Sequence, residues 1–97
     1  MTNQLNAVFS ALSDPTRRSI IEQLTGGRAT VTALHEGHDM ALPTFLRHLK
    51  VLETAGLVRT QKKGRVRSCQ LAPHHLIEAQ GWLTWQNTIW DQRDTND

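Results

Sequence analysis

Cysteine is almost missing from this chain of 97 residues: Cys69 is alone and has no partner for an internal disulfide, which fits a reducing cytosol. No apolar run approaches the roughly 20 residues that a bilayer-spanning helix needs, so no membrane partner is expected. Met1-Thr2-Asn3-Gln4 carries neither the basic n-region nor the apolar h-region of a secretory signal, and the expected location is cytoplasmic. Catalytic signatures are missing too. There is no G-x-S-x-G turn, no phosphate-cradling glycine loop and no HExxH helix, and spacing gives Cys69 no base. A non-enzyme without a cofactor is therefore expected. The length suits one domain over residues 1–97 with a modest core, burying about two-thirds of the unfolded surface.

What the sequence does have is a lopsided charge. From Arg47 to Arg67 there are seven Lys or Arg against one Glu, a local net charge of +6, while the remainder holds four basic and eight acidic residues, net −4. Such a split within one small domain marks a positive face that meets a polyanion, with an acidic remainder that limits indiscriminate binding. Double-stranded nucleic acid is the natural partner. A solvated cationic hairpin without any partner is the plainer alternative.

Hydrophobic spacing organises the rest. Leu5, Val8, Phe9 and Leu12 recur at i, i+3, i+4 and i+7 and predict a first helix. Ser13-Asp14-Pro15 closes it and opens a second, with Asp14 as N-cap and Pro15 at the first helical position. That helix carries Ile20, Ile21 and Leu24 and stops before Gly26-Gly27. Arg17 and Arg18 in its first turn oppose the helix dipole, so either a phosphate offsets them or they are simply exposed. Ala29 to Val31 reads as a short extended piece, with Thr32 capping a short third helix through Glu36. Leu42-Pro43 then opens a fourth helix, the recognition segment predicted over 43–55, in which Leu42, Phe45, Leu46, Leu49 and Leu52 share a face while Thr44, Arg47, Lys50 and Val51 turn away. The third and fourth helices form a helix-turn-helix with a cationic outer face.

Residues 57–71 alternate as a hairpin turning at Lys63-Gly64-Arg65. A hairpin built only for packing would not set Lys62, Lys63, Arg65 and Arg67 around one glycine, because like charges held so close repel. A fifth helix is predicted over 73–91, with disorder expected from Asp94 to Asp97. Trp82, Trp85 and Ile89 form one stripe on it and Leu76, Leu83 and Trp90 another, too much apolar coverage for a helix resting on one side of a small domain. The expected use is a two-fold homodimer interface of Leu5, Val8, Phe9, Leu76, Trp82, Leu83, Trp85, Ile89 and Trp90. Tryptophans completing the monomer core, or a tryptophan helix that captures a different protein, are the alternatives.

Three phrases resemble the ArsR family of bacterial winged-helix repressors: Ala11-Leu12-Ser13-Asp14-Pro15-Thr16-Arg17-Arg18, then Leu46-Arg47-His48-Leu49-Lys50-Val51-Leu52-Glu53 with Ala55-Gly56-Leu57-Val58, and the wing at Lys63-Gly64-Arg65. The likeness runs over nearly the whole chain. It implies a mostly α winged helix-turn-helix of about five helices with a small basic β-wing, dimerising through the first and last helices and binding a pseudo-palindromic operator. DNA contacts would come from Thr44, Arg47, His48 and Lys50 on the recognition helix and from Lys62, Lys63, Arg65 and Arg67 on the wing. His48 could equally hold the neighbouring helix. The pattern departs from the family at Ala41 and at Thr44 to Leu46, where a serine often caps the helix and a second small polar residue faces DNA.

Metal-sensing members of that family carry Cys-x-Cys on the preceding helix. Here His35 stands about where the first cysteine would be and Gly37 replaces the second, so no metal is expected. A partial site of His35, His38 and Asp39, which would make the chain a metal-released sensor, is the minority reading. The His74-His75 pair cannot easily chelate an ion alone, since adjacent helical residues point about 100° apart.

Overall fold

The computed structural model describes residues 2–95. Among them the order is α1 (Thr2–Leu12), α2 (Pro15–Leu24), β1 (Ala29–Thr30), α3 (Val31–Glu36), α4 (Leu42–Thr54), β2 (Val58–Lys63), β3 (Val66–Leu71) and α5 (His74–Thr95). This is a winged helix-turn-helix, with α3 and α4 as the helix pair and β2–β3 as the wing.

Local chemistry sets most of these boundaries. Asp14 has extended backbone angles and accepts the Arg17 N–H at 3.1 Å, while Pro15 occupies the first helical position. Gly56 ends α4 at φ +75°, a left-handed conformation that glycine takes without penalty. Thr30, and not Thr32, caps α3, accepting the Ala33 N–H at 3.1 Å. The reason is non-local. Ala29 and Thr30 are drawn alongside β3, pairing with Cys69 and Ser68, so the chain is still extended at Thr30 and turns helical directly after it. The three strands lie antiparallel in the order β1-β3-β2.

A single core joins the elements. Val8 and Ala11 from α1, Ile20 and Leu24 from α2, Leu34 from α3, Phe45, Leu49 and Leu52 from α4, and Leu57 and Cys69 from the wing root are all buried. Full burial of a side chain such as Phe45 contributes about 1.5–3 kcal/mol. Val8, expected between two copies, is 1% exposed and belongs to this core. The stripe that names it is apolar for the monomer's own packing, whereas Leu5, Phe9 and Leu76 are half-buried and keep some surface.

Helix α5 is different. Ala79 is buried and Leu76 half-buried, and Trp82 meets Phe9 edge to face at 5.9 Å. Yet every residue from Gln80 to Arg93 is exposed. The helix runs about 33 Å within a molecule of 59 × 25 × 25 Å. Trp85 and Trp90 are 61% and 65% exposed, so the tryptophans do not complete the monomer core. Asp94 and Thr95, expected to be disordered, continue the helix, while Asn96 and Asp97 lie outside the described residues. Among the described residues no helix is long and apolar enough to cross a membrane.

Candidate nucleic-acid interface

The arginines that open α2 have a job unforeseen from their positions. Arg17 donates from Nε to the Ala11 carbonyl at 2.7 Å and from Nη2 to Ser10 at 3.2 Å, and Arg18 donates from Nη1 to Leu12 at 2.7 Å. The last carbonyls of α1 have no partner within their own helix, and these guanidiniums satisfy them. Neither a phosphate nor idle exposure is needed to account for the pair.

Arg17 also fixes α4. Its Nη1 lies 3.1 Å from His48 Nδ1, and Asp14 Oδ2 is 3.6 Å from the same nitrogen. A guanidinium can only donate, so in the neutral ring Nδ1 accepts and Nε2 carries the proton, and the ring bears a charge toward Asp14 only when doubly protonated. The His48 ring thus tethers α4 to the start of α2. Burial pushes the Asp14 carboxyl up, but the Arg17 N–H and the charges of His48 and Arg17 outweigh that and hold it below the usual carboxylate range.

On the outer side of α4, Arg47 and Lys50 are exposed and Thr44 is half-buried, with Arg47 Nη2 donating to Thr44 Oγ1 at 3.2 Å. Phe45, Leu49 and Leu52 occupy the opposite, buried side. Ala41 stands at the N-cap with no side-chain hydrogen bond, as its methyl group requires. Lys50 lies nearer α1, bordering a groove with Ala7, Ser10, Val51 and Thr54.

The wing closes through the two-residue loop Gly64-Arg65, with Gly64 at φ +60° in the first central position, as a type II′ turn requires. Its register sets Lys62 directly opposite Arg67 and Lys63 opposite Val66. Lys62, Lys63, Arg65 and Arg67 are all exposed. Among the described residues no acidic side chain pairs with any of them. Arg65 and Arg67 line a groove whose other wall is Leu42 and Leu46 of α4 with Thr30, Thr32 and His35. The wing and the first half of the recognition helix therefore share one concave, cationic surface.

His35 and His38 are occupied otherwise than as ligands. His35 Nε2 donates to the Met40 carbonyl at 2.8 Å, and His38 Nε2 contacts Gln23 Oε1 at 2.7 Å. Both rings lie 5.3 Å from the Phe45 ring. Burial, with the charges of His35 and His48, pushes the His38 pKa down. They pin the turn between α3 and α4. Cys69 is buried beneath the sheet, and burial, reinforced by Glu53 and opposed by Arg67, pushes its thiol pKa up, which keeps it unreactive. The grouping of three potential metal donors among the described residues is His74, His75 and Glu78, not the His35 region. Glu78 was passed over in the sequence, although its spacing of three and four residues from the histidines was visible there.

Comparison with known proteins agrees with this geometry. Residues 12–61 match a helix-turn-helix domain family. The chain is 33% identical over 79 residues, 81% of its own length and 88% of the relative's, to the transcriptional repressor SdpR of Bacillus subtilis (strain 168). A crystallised ArsR family transcriptional regulator superposes with a TM-score of 0.89 at 43% identity, over 94% of each chain. A homodimeric winged helix-turn-helix DNA-binding domain from Mycobacterium bovis superposes at 0.70 over 99% of this chain and 86% of that one, and at 22% identity it shares the fold alone. By sequence, fold and the placement of its helix-turn-helix, the chain belongs to the ArsR family of winged helix-turn-helix transcriptional regulators.

Proposed function

We propose that the protein is a cytoplasmic, sequence-specific repressor that binds a pseudo-palindromic operator as a homodimer. The observation that carries this reading is the wing beside α4, where four exposed cations, two of them lining the groove shared with that helix, stand without any acidic partner among the described residues. Unpaired like charges at such spacing repel each other, and phosphates relieve the repulsion. Arg47 faces outward from the helix that would enter the major groove, in reach of base edges, while Lys62, Lys63, Arg65 and Arg67 grip the backbone. Thr44 orients the Arg47 guanidinium, Lys50 adds charge at the far end, and the partly exposed His48 ring adds a contact to a phosphate. Occupying a promoter in this way blocks transcription.

Dimerisation rests on the bare flank of α5. Trp82, Leu83, Trp85, Ile89 and Trp90 leave more apolar surface uncovered than a monomer ordinarily tolerates. A second copy, meeting it through α5 with Leu5, Phe9 and Leu76 at the margin, would place two recognition helices about one helical turn, 34 Å, apart. The homodimeric Mycobacterium bovis structure is consistent with this use of the fold.

Selection of bound duplexes from a random library tests the proposal. The expected product is an inverted repeat, bound by a species that sediments as a dimer. Arg47→Ala should relax preference at one position of each half-site by about 1–3 kcal/mol, whereas Lys63→Ala should weaken all duplexes alike. Recovery of no shared sequence would defeat the reading. A monomer that assembles only with a different protein would favour the tryptophan helix as a docking arm for that protein instead.

A further inference from the structure

We infer that the groove between α1 and the last turns of α4 is a binding site for a small amphipathic carboxylate, whose apolar body lies against Ala7, Val51 and Ala55 and whose anionic head meets Lys50. The groove has a volume of about 270 Å³ and is lined by those four residues with Ser10 and Thr54. Small-molecule sites run from about 300 to 1,000 Å³ and are mostly apolar with a few placed polar groups, so this one suits a short tail and not a bulky cofactor. Ala55 is buried and Ala7 half-buried, while Val51, Lys50, Ser10 and Thr54 are exposed. The methyl groups of two alanines thus make the floor, and the polar groups stand at the edge.

Charge selects the ligand. Lys50 has no acidic partner among the described residues, and an ammonium at the mouth of an apolar groove attracts an anion that carries its own apolar body. One lysine matches the single charge of a carboxylate, whereas a phosphate head, with nearly two, would leave charge unmatched. The hydroxyls of Ser10 and Thr54 can donate to the second carboxylate oxygen. A second copy of the chain is a poorer occupant, because at about 100° per residue Ala7 lies nearly opposite Leu5 and Phe9 on α1, and Phe9 is the residue that meets Trp82 of the bare flank. Arg47, Lys50, Val51 and Thr54 recur at i, i+3, i+4 and i+7, so the groove continues the outer face of α4. A bound carboxylate and a DNA phosphate therefore claim the same lysine, and the ligand acts against DNA binding. That consequence rests on the repressor reading, whereas the site itself does not.

Octanoate is the probe, titrated into the full, isotope-labelled chain without DNA and followed by backbone amide shifts. Saturable shifts at one ligand per chain are expected, centred on Ala7, Ser10, Val51 and Ala55. Octanamide, of the same shape but neutral, should bind the wild type at least about tenfold more weakly, and so should octanoate bind Lys50→Gln, since each loses a charged hydrogen bond. Ala7→Leu fills the groove with a good helix former and should abolish the shifts with unchanged helical circular dichroism. Absence of saturable shifts, or shifts centred on Trp82 and Trp85, would overturn the assignment. Acetate binding as tightly as octanoate, or octanamide doing so, would overturn it as well, by removing the need for the tail or for the charge. On a duplex, octanoate at ten times its dissociation constant should weaken wild-type binding at least about tenfold and leave Ala7→Leu, whose Lys50 is intact, unaffected. Duplex binding that persists with the groove filled would refute the competition. A chain that takes octanoate in the groove but binds no duplex would sink the repressor reading and leave the site standing.

Discussion

Replacing Lys62 with alanine should weaken DNA binding and strengthen the fold at once. Lys62 sits directly opposite Arg67 in the wing ladder, and both are exposed with no acidic partner among the described residues. In a two-fold dimer the substitution removes two phosphate contacts. The slope of log affinity against log salt should then become shallower by about 1.8. Carried from about 1 M down to about 0.15 M salt, that difference amounts to roughly 30-fold in affinity, or about 2 kcal/mol. The free protein moves the other way. Relief of the cross-strand repulsion gains a few tenths of a kcal/mol, which for a domain of this size raises Tm by about 1–2 °C. Fluorescence anisotropy with a labelled operator duplex at several salt concentrations reads the first effect, and a thermal melt without DNA reads the second. Parallel salt slopes for variant and wild type would mean that Lys62 touches no phosphate. A lowered Tm would mean that the lysine supports the hairpin, and the argument from unrelieved repulsion would fail.

Trp85→Glu places a charge in the bare flank of α5; the variant should sediment as a monomer with unchanged helical circular dichroism, and a persistent dimer would put the seam elsewhere. Gly56→Ala meets a double obstacle, since φ is +75° and an added Cβ would overlap the His75 ring. It should cost about 1–3 kcal/mol in a urea melt, and a loss below about 0.5 kcal/mol would show that the turn relaxes freely. Asp14 has a folded pKa below its ordinary value, so its stabilisation is fully present above about pH 3.9 and drains away as pH falls through the folded value. Asparagine caps helices well without titrating; Asp14→Asn should therefore be less stable than wild type near neutrality and converge with it in acid. A constant gap across the acid range would contradict the ion-pair account.

The helices were legible because their signals are local. Asp14-Pro15, Pro43 and Gly56 each punctuate the chain through their own backbone chemistry, and the period of Phe45, Leu49 and Leu52 names a buried face without reference to any other element. Where the reading missed, the cause lay far off in sequence. Thr30 displaces Thr32 as cap because a strand some forty residues later holds Ala29 and Thr30 extended. Arg17 and Arg18 looked misplaced against their own helix dipole, since nothing nearby announces that they serve the preceding helix. Val8 shares its stripe with Leu5 and Phe9, and periodicity cannot say which apolar residue is claimed by the monomer. Of the surface around Arg47 and the wing, residue choice was visible in the charge run. The concavity joining Arg67 to Leu42 and Leu46 was not, for it depends on how the sheet meets α4.

The end of α4 is held from two sides. Gln4 of α1 donates from Nε2 to the Ala55 carbonyl at 2.6 Å, and the His75 ring of α5 abuts Gly56. Both restraints come from the helices that border the bare apolar flank, so in the proposed dimer the recognition helix would behave as an arm mounted on the seam between copies. Its 13 residues span about 20 Å. A tilt of about 10° at the mount swings the opposite tip by about 3.5 Å, close to the rise of one base pair. In that dimer half-site spacing would be set where the two chains meet, while half-site sequence would be read at the tip. Changes in α1 or α5 can move the preferred spacer by a base pair and leave the preferred letters alone, so two relatives with the same outer face on α4 can answer to different operators.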